Sequence, residues 1–296
     1  MTVLRIGTRG SELALRQTGW VTERLRAAHT SLDVELVTIK THGDIESDRG
    51  FDESWPVGSF VSALERALLE ERIDAAVHSY KDLPTMSTAG LRIAAVPVRE
   101  AVHDVLLTAG WLRLDEAPSG ARIGTSSPRR AAQIRRLGDF EVVPIRGNVP
   151  TRIAKLEDGG LDGIILAAAG LRRLGIEHPY SIDLPPESFV PAPGQGALAV
   201  QVRADSGAGE AVAVLDHAAT RSAVTAERSF LREANAGCHV PAGALAEVAG
   251  MTVSLHARLF SDDQSRDVDD VECGSDPETV GVTLARRLTA RLRLPG

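Results

Sequence analysis

The stretch Gly-Thr-Ser-Ser-Pro-Arg-Arg at residues 124–130 indicates the fold, because a predicted strand ends there and a helix begins. Ser127 stands where a side chain caps the free backbone N–H groups of a helix, and Pro128 stands at the first helical position. Arg129 and Arg130 follow at once, although the positive end of a helix dipole disfavours cations by ~0.3–1 kcal/mol each. Helix stability alone therefore does not explain these two arginines.

The same pattern returns about twenty residues later. Residues 141–145 predict a strand, Arg146 begins the turn after it, and Pro150 opens a second helix that carries Arg152. Guanidinium groups beside exposed backbone N–H groups bind anions, because both kinds of donor converge on one volume. Solvated arginines would explain either turn alone. Together, at matching positions, the two turns favour a site for a polyanionic ligand.

Length and composition limit the class of protein. A chain of 296 residues is long for one core and predicts two or three domains. The net charge of −7 argues against general nucleic-acid binding, which usually needs a basic face. No apolar run is long enough to span a bilayer, and the first residues enter a strand without a signal peptide, so we expect a cytoplasmic protein. Cys238 and Cys273 have neither disulfide-framework nor metal-ligand spacing, and no metal is expected.

Strands that alternate with helices predict an α/β fold with mixed sheets. A first lobe begins with a strand at residues 3–6 and a glycine-rich turn into a helix. Arg9 and Ser11 take the position in that turn where α/β folds bind ligands. Gln17 lies on the apolar stripe of the helix, and a satisfied core amide explains it as well as a ligand-facing donor does. Further elements of this lobe are predicted at residues 34–39, 59–71, 73–77 and 91–96, with a long loop at 42–58 that is functional or mobile.

Lys81 and Asp82 follow directly after the buried strand at residues 73–77, and Pro84 closes the turn. An aspartate before Leu-Pro is a common turn former. A fixed carboxylate can also stabilise a developing cation or shuttle protons. Sequence position alone leaves both interpretations open.

A second lobe and a small third domain follow. The predicted strands of the second lobe are residues 104–107, 122–124, 141–145 and 162–167, with helices that begin near 128, 150 and 168. Residues 191–196 suit a crossover, and a strand at 197–202 can rejoin the first sheet, which gives the bilobal architecture of periplasmic-type solute binders with a cleft between the lobes. A helix at 219–234, three strands near 243–249, 252–260 and 268–273, and a helix at 277–292 predict a small α+β domain. The expected domains are residues 1–98 with 196–216, residues 99–195, and residues 217–296.

Cys238 lies on a tight loop between a glycine and a proline. A cysteine there is more accessible than one in a strand, and nearby arginines would raise its thiolate character. Cys238 therefore outranks Cys273 as a reactive thiol. Without other context a small buried hydrophobic side chain would be the favoured explanation.

Seven short motifs, in order and with fitting spacing, resemble the hydroxymethylbilane synthase family, also called porphobilinogen deaminase. They are residues 4–11, 78–84, 124–130, 146–148, 167–175, 193–196 and 236–238. The resemblance implies two lobes of the periplasmic-binder type, a third domain, and a dipyrromethane cofactor joined to Cys238 through a thioether. It implies a transferase that condenses four porphobilinogen molecules head to tail on that primer, with loss of ammonia, and then releases the linear tetrapyrrole hydroxymethylbilane.

The resemblance also implies roles for single residues. Asp82 maps to the catalytic carboxylate, which would stabilise the cation left when porphobilinogen loses ammonia. Each pyrrole carries an acetate and a propionate, and buried carboxylates must be paired. The expected cofactor-binding residues are Cys238, Lys81, Ser127, Arg129, Arg130 and Arg146. The expected substrate-binding residues are Arg9, Ser11, Gln17, Arg152, Arg173, Gln195 and Phe60, the last resembling an aromatic residue that covers the site.

One segment departs from the family pattern. Many members carry glycine-lysine-glycine ahead of that aromatic residue, and Pro-Val-Gly stands here at residues 56–58. The missing cation bears on how a lid would close. The expected partner is porphobilinogen, with no nucleic acid or membrane, and the family is usually monomeric. The alternatives are a catalytically impaired, bilobal carboxylate-binding paralogue and a phosphoribosyl-type transferase, and the presence of both Asp82 and Cys238 opposes the paralogue.

Overall fold

The computed structural model of the chain describes residues 3–39, 59–234 and 241–293. Within them the chain forms two compact units, one made of Met1–Glu100 with Ala197–Arg221 and the other of Ala101–Gly196 with Ser222–Gly296. We call these the first unit and the second unit. The division into three domains stays a prediction.

The elements are numbered in chain order. The described strands are β1 (Val3–Thr8), β2 (Asp33–Thr38), β3 (Ala75–Ser79), β4 (Leu91–Ala95), β5 (Asp104–Thr108), β6 (Ala121–Gly124), β7 (Phe140–Val143), β8 (Gly163–Ala167), β9 (Ser181–Leu184), β10 (Leu198–Arg203), β11 (Ala242–Ala249), β12 (Thr252–Phe260) and β13 (Asp267–Gly274). The described helices are α1 (Glu12–Ala28), α2 (Ser59–Leu69), α3 (Pro128–Ile134), α4 (Val149–Glu157), α5 (Ala168–Leu174), α6 (Ala208–Val212), α7 (Ala218–Glu233) and α8 (Pro277–Arg293).

The first unit is a five-stranded mixed sheet in the order β2-β1-β3-β10-β4. Strand β10 runs antiparallel to both of its neighbours, and β1 pairs in parallel with β2 and β3. Successive residues of a strand face opposite sides of the sheet, so Ala76 packs in the core that contains α2, and Val77 packs in the core on the α1 side. Both faces are buried, as an apolar strand covered by helices on both sides requires.

The second unit contains a sheet of the same plan, in the order β7-β6-β8-β5-β9. Its antiparallel strand is β5, which lies between β8 and β9. The two sheets have the same arrangement of strands. In each, the fourth strand in the order (β10 in the first unit and β5 in the second) runs antiparallel to both of its neighbours, and the other four described strands are parallel to one another. The predicted α/β fold class with two mixed sheets is confirmed. Strand β9 was not predicted, because only Leu184 of its four residues is fully buried, and so short a segment carries little apolar signal.

The second unit also contains the small α+β fold that the sequence predicts. Strands β11, β12 and β13 form an antiparallel sheet, and Phe230, Leu255 and Leu284 lie in its core with α7 and α8. Helix α8 approaches α7 so closely that a Cβ on Gly281 would lie 2.3 Å from the Ala226 carbonyl oxygen. Only glycine fits there. No helix in the described ranges is long and apolar enough to cross a membrane.

Candidate active site

The Lys81–Asp82 pair lies on a single turn of 3-10 helix, Tyr80–Asp82, directly after β3. The turn is fixed on both sides: Tyr80 N donates to Ala197 O at 3.0 Å, and the buried Leu83 packs against Ala199 of β10. The side chains of Lys81 and Asp82 are exposed. The first unit therefore holds the backbone of this turn and leaves an ionisable carboxylate accessible to a ligand.

Two other predicted residues of the first unit, Arg9 and Ser11, follow the end of β1, and a third, Gln17, lies in α1. Ser11 caps α1, because its hydroxyl accepts a hydrogen bond from Ala14 N at 3.4 Å, and Arg9 is partly buried in the turn before it. Gln17 is 5% exposed and its Nε2 donates to Ser79 Oγ at 3.0 Å, so its amide is bonded to the last residue of β3. This is the contact of a satisfied core amide. Because Ser79 directly precedes the Tyr80–Asp82 turn, the same hydrogen bond also places Gln17 beside that turn.

In the second unit the two arginines of α3 meet one buried carboxylate. Arg129 Nη2 lies 2.7 Å from Asp104 Oδ2, and Arg130 Nη2 lies 2.6 Å from Asp104 Oδ1. Arg130 Nε donates to the same Oδ1 at 3.2 Å. Asp104 is fully buried, and Arg129 and Arg130 are 5% and 7% exposed. The arginines are thus directed to the protein interior instead of being solvated.

Asp104 explains how two cations are tolerated at the start of a helix. Ser127 caps α3 by accepting a hydrogen bond from Arg130 N at 3.4 Å, while both guanidinium groups bind Asp104. Asp104 belongs to none of the motifs in the sequence. The only signal was an aspartate as the first residue of a strand, Asp104–Thr108, whose remaining positions are all buried.

The charges of this cluster do not balance. Burial raises the pKa of Asp104, but the two guanidinium groups outweigh burial and hold that pKa well below its usual range. Burial also lowers the pKa of Arg129, and Asp104 opposes that change. Among the described residues two guanidinium groups face one carboxylate, which leaves one positive charge in a nearly dry environment. A buried charge needs a partner, and an anionic ligand would supply it.

The other predicted arginines of the second unit lie on the same edge of its sheet. Strands β6, β7 and β8 are parallel, so their carboxyl ends share one edge, and this is where α/β sheets bind ligands. Arg146 is exposed after β7, Arg152 Nε donates to Gly147 O at 2.8 Å, and Arg173 Nη2 donates to Gly196 O at 2.7 Å. Burial lowers the pKa of Arg152, and the charge of Arg130 lowers it further.

Gln195 has a different position from the one expected of a substrate-binding residue. It is fully buried, and its Nε2 donates to Val102 O at 2.7 Å and to Asp104 Oδ1 at 3.0 Å. The amide therefore supports the carboxylate that binds the two arginines.

The structure thus brings together Arg129, Arg130 and Gln195 around Asp104, and it places Arg152 within electrostatic range of Arg130. Within the first unit it places Gln17 near the Lys81–Asp82 turn. Cys238, the predicted loop at 42–58 and the side chain of Phe60 lie outside the described residues.

Two family models match this chain. The model described as "Porphobilinogen deaminase, dipyromethane cofactor binding domain" matches residues 4–210, and "Porphobilinogen deaminase, C-terminal domain" matches residues 222–290. Among solved structures, the methionine-binding protein MetQ superposes with a TM-score of 0.45 at 12% identity, over 72% of this chain and 89% of its own.

Curated relatives named porphobilinogen deaminase match over most of their length. The relative from Carboxydothermus hydrogenoformans is 43% identical over 290 residues, which are 97% of this chain and 93% of that protein. The relative from Nocardia farcinica is 51% identical over 249 residues, which are 83% of this chain and 71% of that protein. Together with the two matched domains, these similarities show that the chain belongs to the porphobilinogen deaminase family.

Proposed function

We propose that this chain catalyses the stepwise head-to-tail condensation of four porphobilinogen molecules onto a covalently bound dipyrromethane primer. One ammonia is lost at each step, and hydrolysis then releases the linear tetrapyrrole hydroxymethylbilane. The observation that carries the proposal is the buried pair of guanidinium groups on Asp104, in a chain of this family. This pair has one positive charge more than the described residues around it compensate.

The donor set of this pair fits a cofactor that bears carboxylates. Two guanidinium groups have ten N–H donors. Within the described residues five hydrogen bonds engage them: three go to Asp104, and the others go to Val190 O at 2.8 Å and Ile165 O at 2.9 Å. The remaining donors suit the acetate and propionate groups of a dipyrromethane, because guanidinium forks bind carboxylates through paired hydrogen bonds.

The residues proposed to hold the cofactor are Cys238, through a thioether, and Lys81, Ser127, Arg129, Arg130 and Arg146. When bound, the dipyrromethane supplies the free pyrrole carbon on which the chain is extended. The arginines would neutralise its side-chain carboxylates. A lysine would not replace them well, because it cannot form the same planar, two-point contact.

Asp82 is proposed as the catalytic carboxylate. The C–N bond of the protonated aminomethyl group of porphobilinogen breaks, ammonia leaves with the electron pair of that bond, and the pyrrole is left as a resonance-stabilised cation. An accessible carboxylate that accepts a hydrogen bond from a pyrrole N–H stabilises that cation where its charge develops. The same carboxylate can assist removal of the proton from the carbon at which the new C–C bond forms.

The growing chain gains two carboxylates at each elongation. Arg9, Arg152 and Arg173 are proposed to pair with them, because an acid-rich oligomer inside a protein needs positive partners. Ser11, Gln17 and Phe60 are proposed to position the substrate. Gln195 is proposed to contribute to substrate binding through Asp104, to which its Nε2 donates at 3.0 Å. The distribution of cations over several strand ends suits an anion that lengthens during the reaction.

The cellular location, the oligomeric state and the binding partners are proposed as well. We propose that the chain acts in the cytoplasm as a monomer, on porphobilinogen, without nucleic acid or membrane as a partner. The net charge of −7 supports the absence of a nucleic-acid partner.

The intact mass of the purified protein tests the proposal. The wild type is expected to weigh more than its sequence by one two-pyrrole adduct, and Cys238→Ser is expected to lose that adduct. An acidic aldehyde reagent for pyrroles should colour the wild type only. A wild-type mass equal to that of the sequence, with no colour, would refute the covalent primer and favour a plain carboxylate-binding protein.

A further inference from the structure

We infer that Asp104 is a positioning residue for the proposed reaction, one that sets the orientation in which Arg129 and Arg130 meet the carboxylates of cofactor and substrate. The inference rests on the proposed function. It assigns a role to a residue that itself need not touch either ligand.

Each oxygen of Asp104 fixes a different guanidinium group. Oδ2 accepts from Arg129 Nη2 at 2.7 Å. Oδ1 accepts from Arg130 at both Nη2 and Nε, at 2.6 and 3.2 Å. A two-point contact fixes the rotation of a planar guanidinium group as well as its position. Arg130 meets Asp104 in this way, and Arg129 is held between Asp104 and Val190 O, so the orientation of the remaining N–H donors of both groups depends on this carboxylate.

Asp104 is itself held firmly. It is the first residue of β5, opposite Ala167 of β8 and Leu184 of β9, so backbone pairing on both sides fixes its Cα at the ligand-binding edge of the sheet. Its Oδ1 accepts a further hydrogen bond from Gln195 Nε2 at 3.0 Å. Glu227 fixes the turn that carries Gln195, by accepting from Gly194 N at 2.7 Å. A binding group keeps its geometry when the residues behind it are locked in this way.

Two explanations of the arginine pair, by its charge alone or by the positions in which Asp104 holds it, predict opposite results when Asp104 is neutralised. If the arginines acted by charge alone, removal of one negative charge would strengthen their attraction for carboxylates. If Asp104 positions them, its removal leaves two buried like charges that repel each other and turn toward other acceptors. Correctly oriented donors are then lost, and the affinity for carboxylates falls.

The chain offers a matched control in Asp74. Its carboxylate accepts from Arg5 Nε at 3.0 Å and from Arg5 Nη2 at 2.8 Å, which is the same chemistry in another mixed sheet. Asp74 precedes β3, so it lies at the amino end of that strand, away from the Tyr80–Asp82 turn that follows the strand. Asp74→Asn is therefore expected to weaken the fold without affecting the arginine pair.

The test compares full-length wild type, Asp104→Asn and Asp74→Asn by intact mass, urea unfolding midpoint and steady-state kinetics per cofactor-loaded molecule. We expect Asp104→Asn to carry the adduct in a smaller fraction. We expect its loaded molecules to show a KM for porphobilinogen raised about tenfold or more, because small misplacements of positioning groups have large effects, with kcat changed less. Asp74→Asn should load fully and keep the wild-type KM.

Two results would overturn the inference: full loading of Asp104→Asn with an unchanged or lower KM, or equal loss of loading in both variants in proportion to their loss of stability. A wild type without adduct would instead refute the proposed function itself. If Asp104→Asn does not fold, Gln195→Met replaces it, since this change removes one donor to Asp104. The expected result is then full loading with KM raised about threefold, and an unchanged KM overturns the inference.

Discussion

His78 is a buried histidine that should make the stability of the first unit depend on pH. It lies in β3, is 6% exposed, and faces the similarly buried Gln201. Burial lowers the pKa of His78 from 6.5 to about 4, and hydrogen bonding to Gln201 offsets only part of this effect. The imidazole is therefore neutral in the folded protein over a range in which the unfolded chain would protonate it.

The size of the effect follows from the two pKa values. Because the folded pKa lies below the unfolded one, the unfolded chain binds more protons between them, and stability is complete above pH 6.5 and is lost as the pH falls toward 4. Between pH 7 and pH 5 the expected loss is about 2 kcal/mol from this group alone. The shifted carboxyl groups of Asp74 and Asp104 have lowered pKa values and act below this range.

Urea unfolding at pH 7 and pH 5, at one ionic strength, measures this loss for the wild type and for His78→Gln. The variant has a side chain of similar size that does not titrate, so its stability should fall by about 2 kcal/mol less than that of the wild type over this interval. The imidazole proton signals of His78, assigned by their absence in the variant, should titrate near pH 4 in the folded protein. Equal losses in both proteins, or a His78 signal that titrates near pH 6.5, would refute the reasoning.

Three further predictions concern single side chains. Asp82→Ala should change the free energy of unfolding by no more than about 0.5 kcal/mol, because the side chain is exposed, yet stop ammonia release; near-normal release would contradict the catalytic role. Glu227→Gln should lower stability by about 2 kcal/mol, because the buried carboxylate accepts from two backbone N–H groups, and a urea midpoint equal to that of wild type would contradict this. Gly281→Ala should cost about 2–3 kcal/mol, because the added Cβ would meet the Ala226 carbonyl oxygen at 2.3 Å, and calorimetry without a lowered Tm would count against so close a helix contact.

Most elements of the fold could be predicted from local pattern. The apolar run before Lys81 became β3, and the capping serine and proline at residues 127–128 correctly marked the start of α3. The observed boundaries of these elements differ from the predicted ones by one or two residues. The short elements β9 and α6 were missed because four or five residues of mixed polarity carry no clear periodicity.

The candidate site was predictable as a set of residues but not as a set of contacts. Arg129 and Arg130 are 25 and 26 residues from Asp104 in sequence, and they meet it because β5 is inserted beside β8 in reversed direction. Local periodicity does not report such a crossover pairing. For the same reason Gln195 was expected to face substrate, although its amide binds a carboxylate 91 residues away.

The place of β10 in the first sheet has a consequence for biosynthesis. Residues 198–203 lie between β3 and β4, and β10 is the one strand that pairs with β4 in the described part of that sheet. When only the first hundred residues have been synthesised, β4 is therefore present but its partner β10 is not. The five strands β5 to β9 all come from the continuous segment of residues 104–184, so their sheet can form before β10 has been synthesised. The amino-terminal unit is thus expected to finish folding after a sheet translated later, and its unpaired edge must stay protected until then.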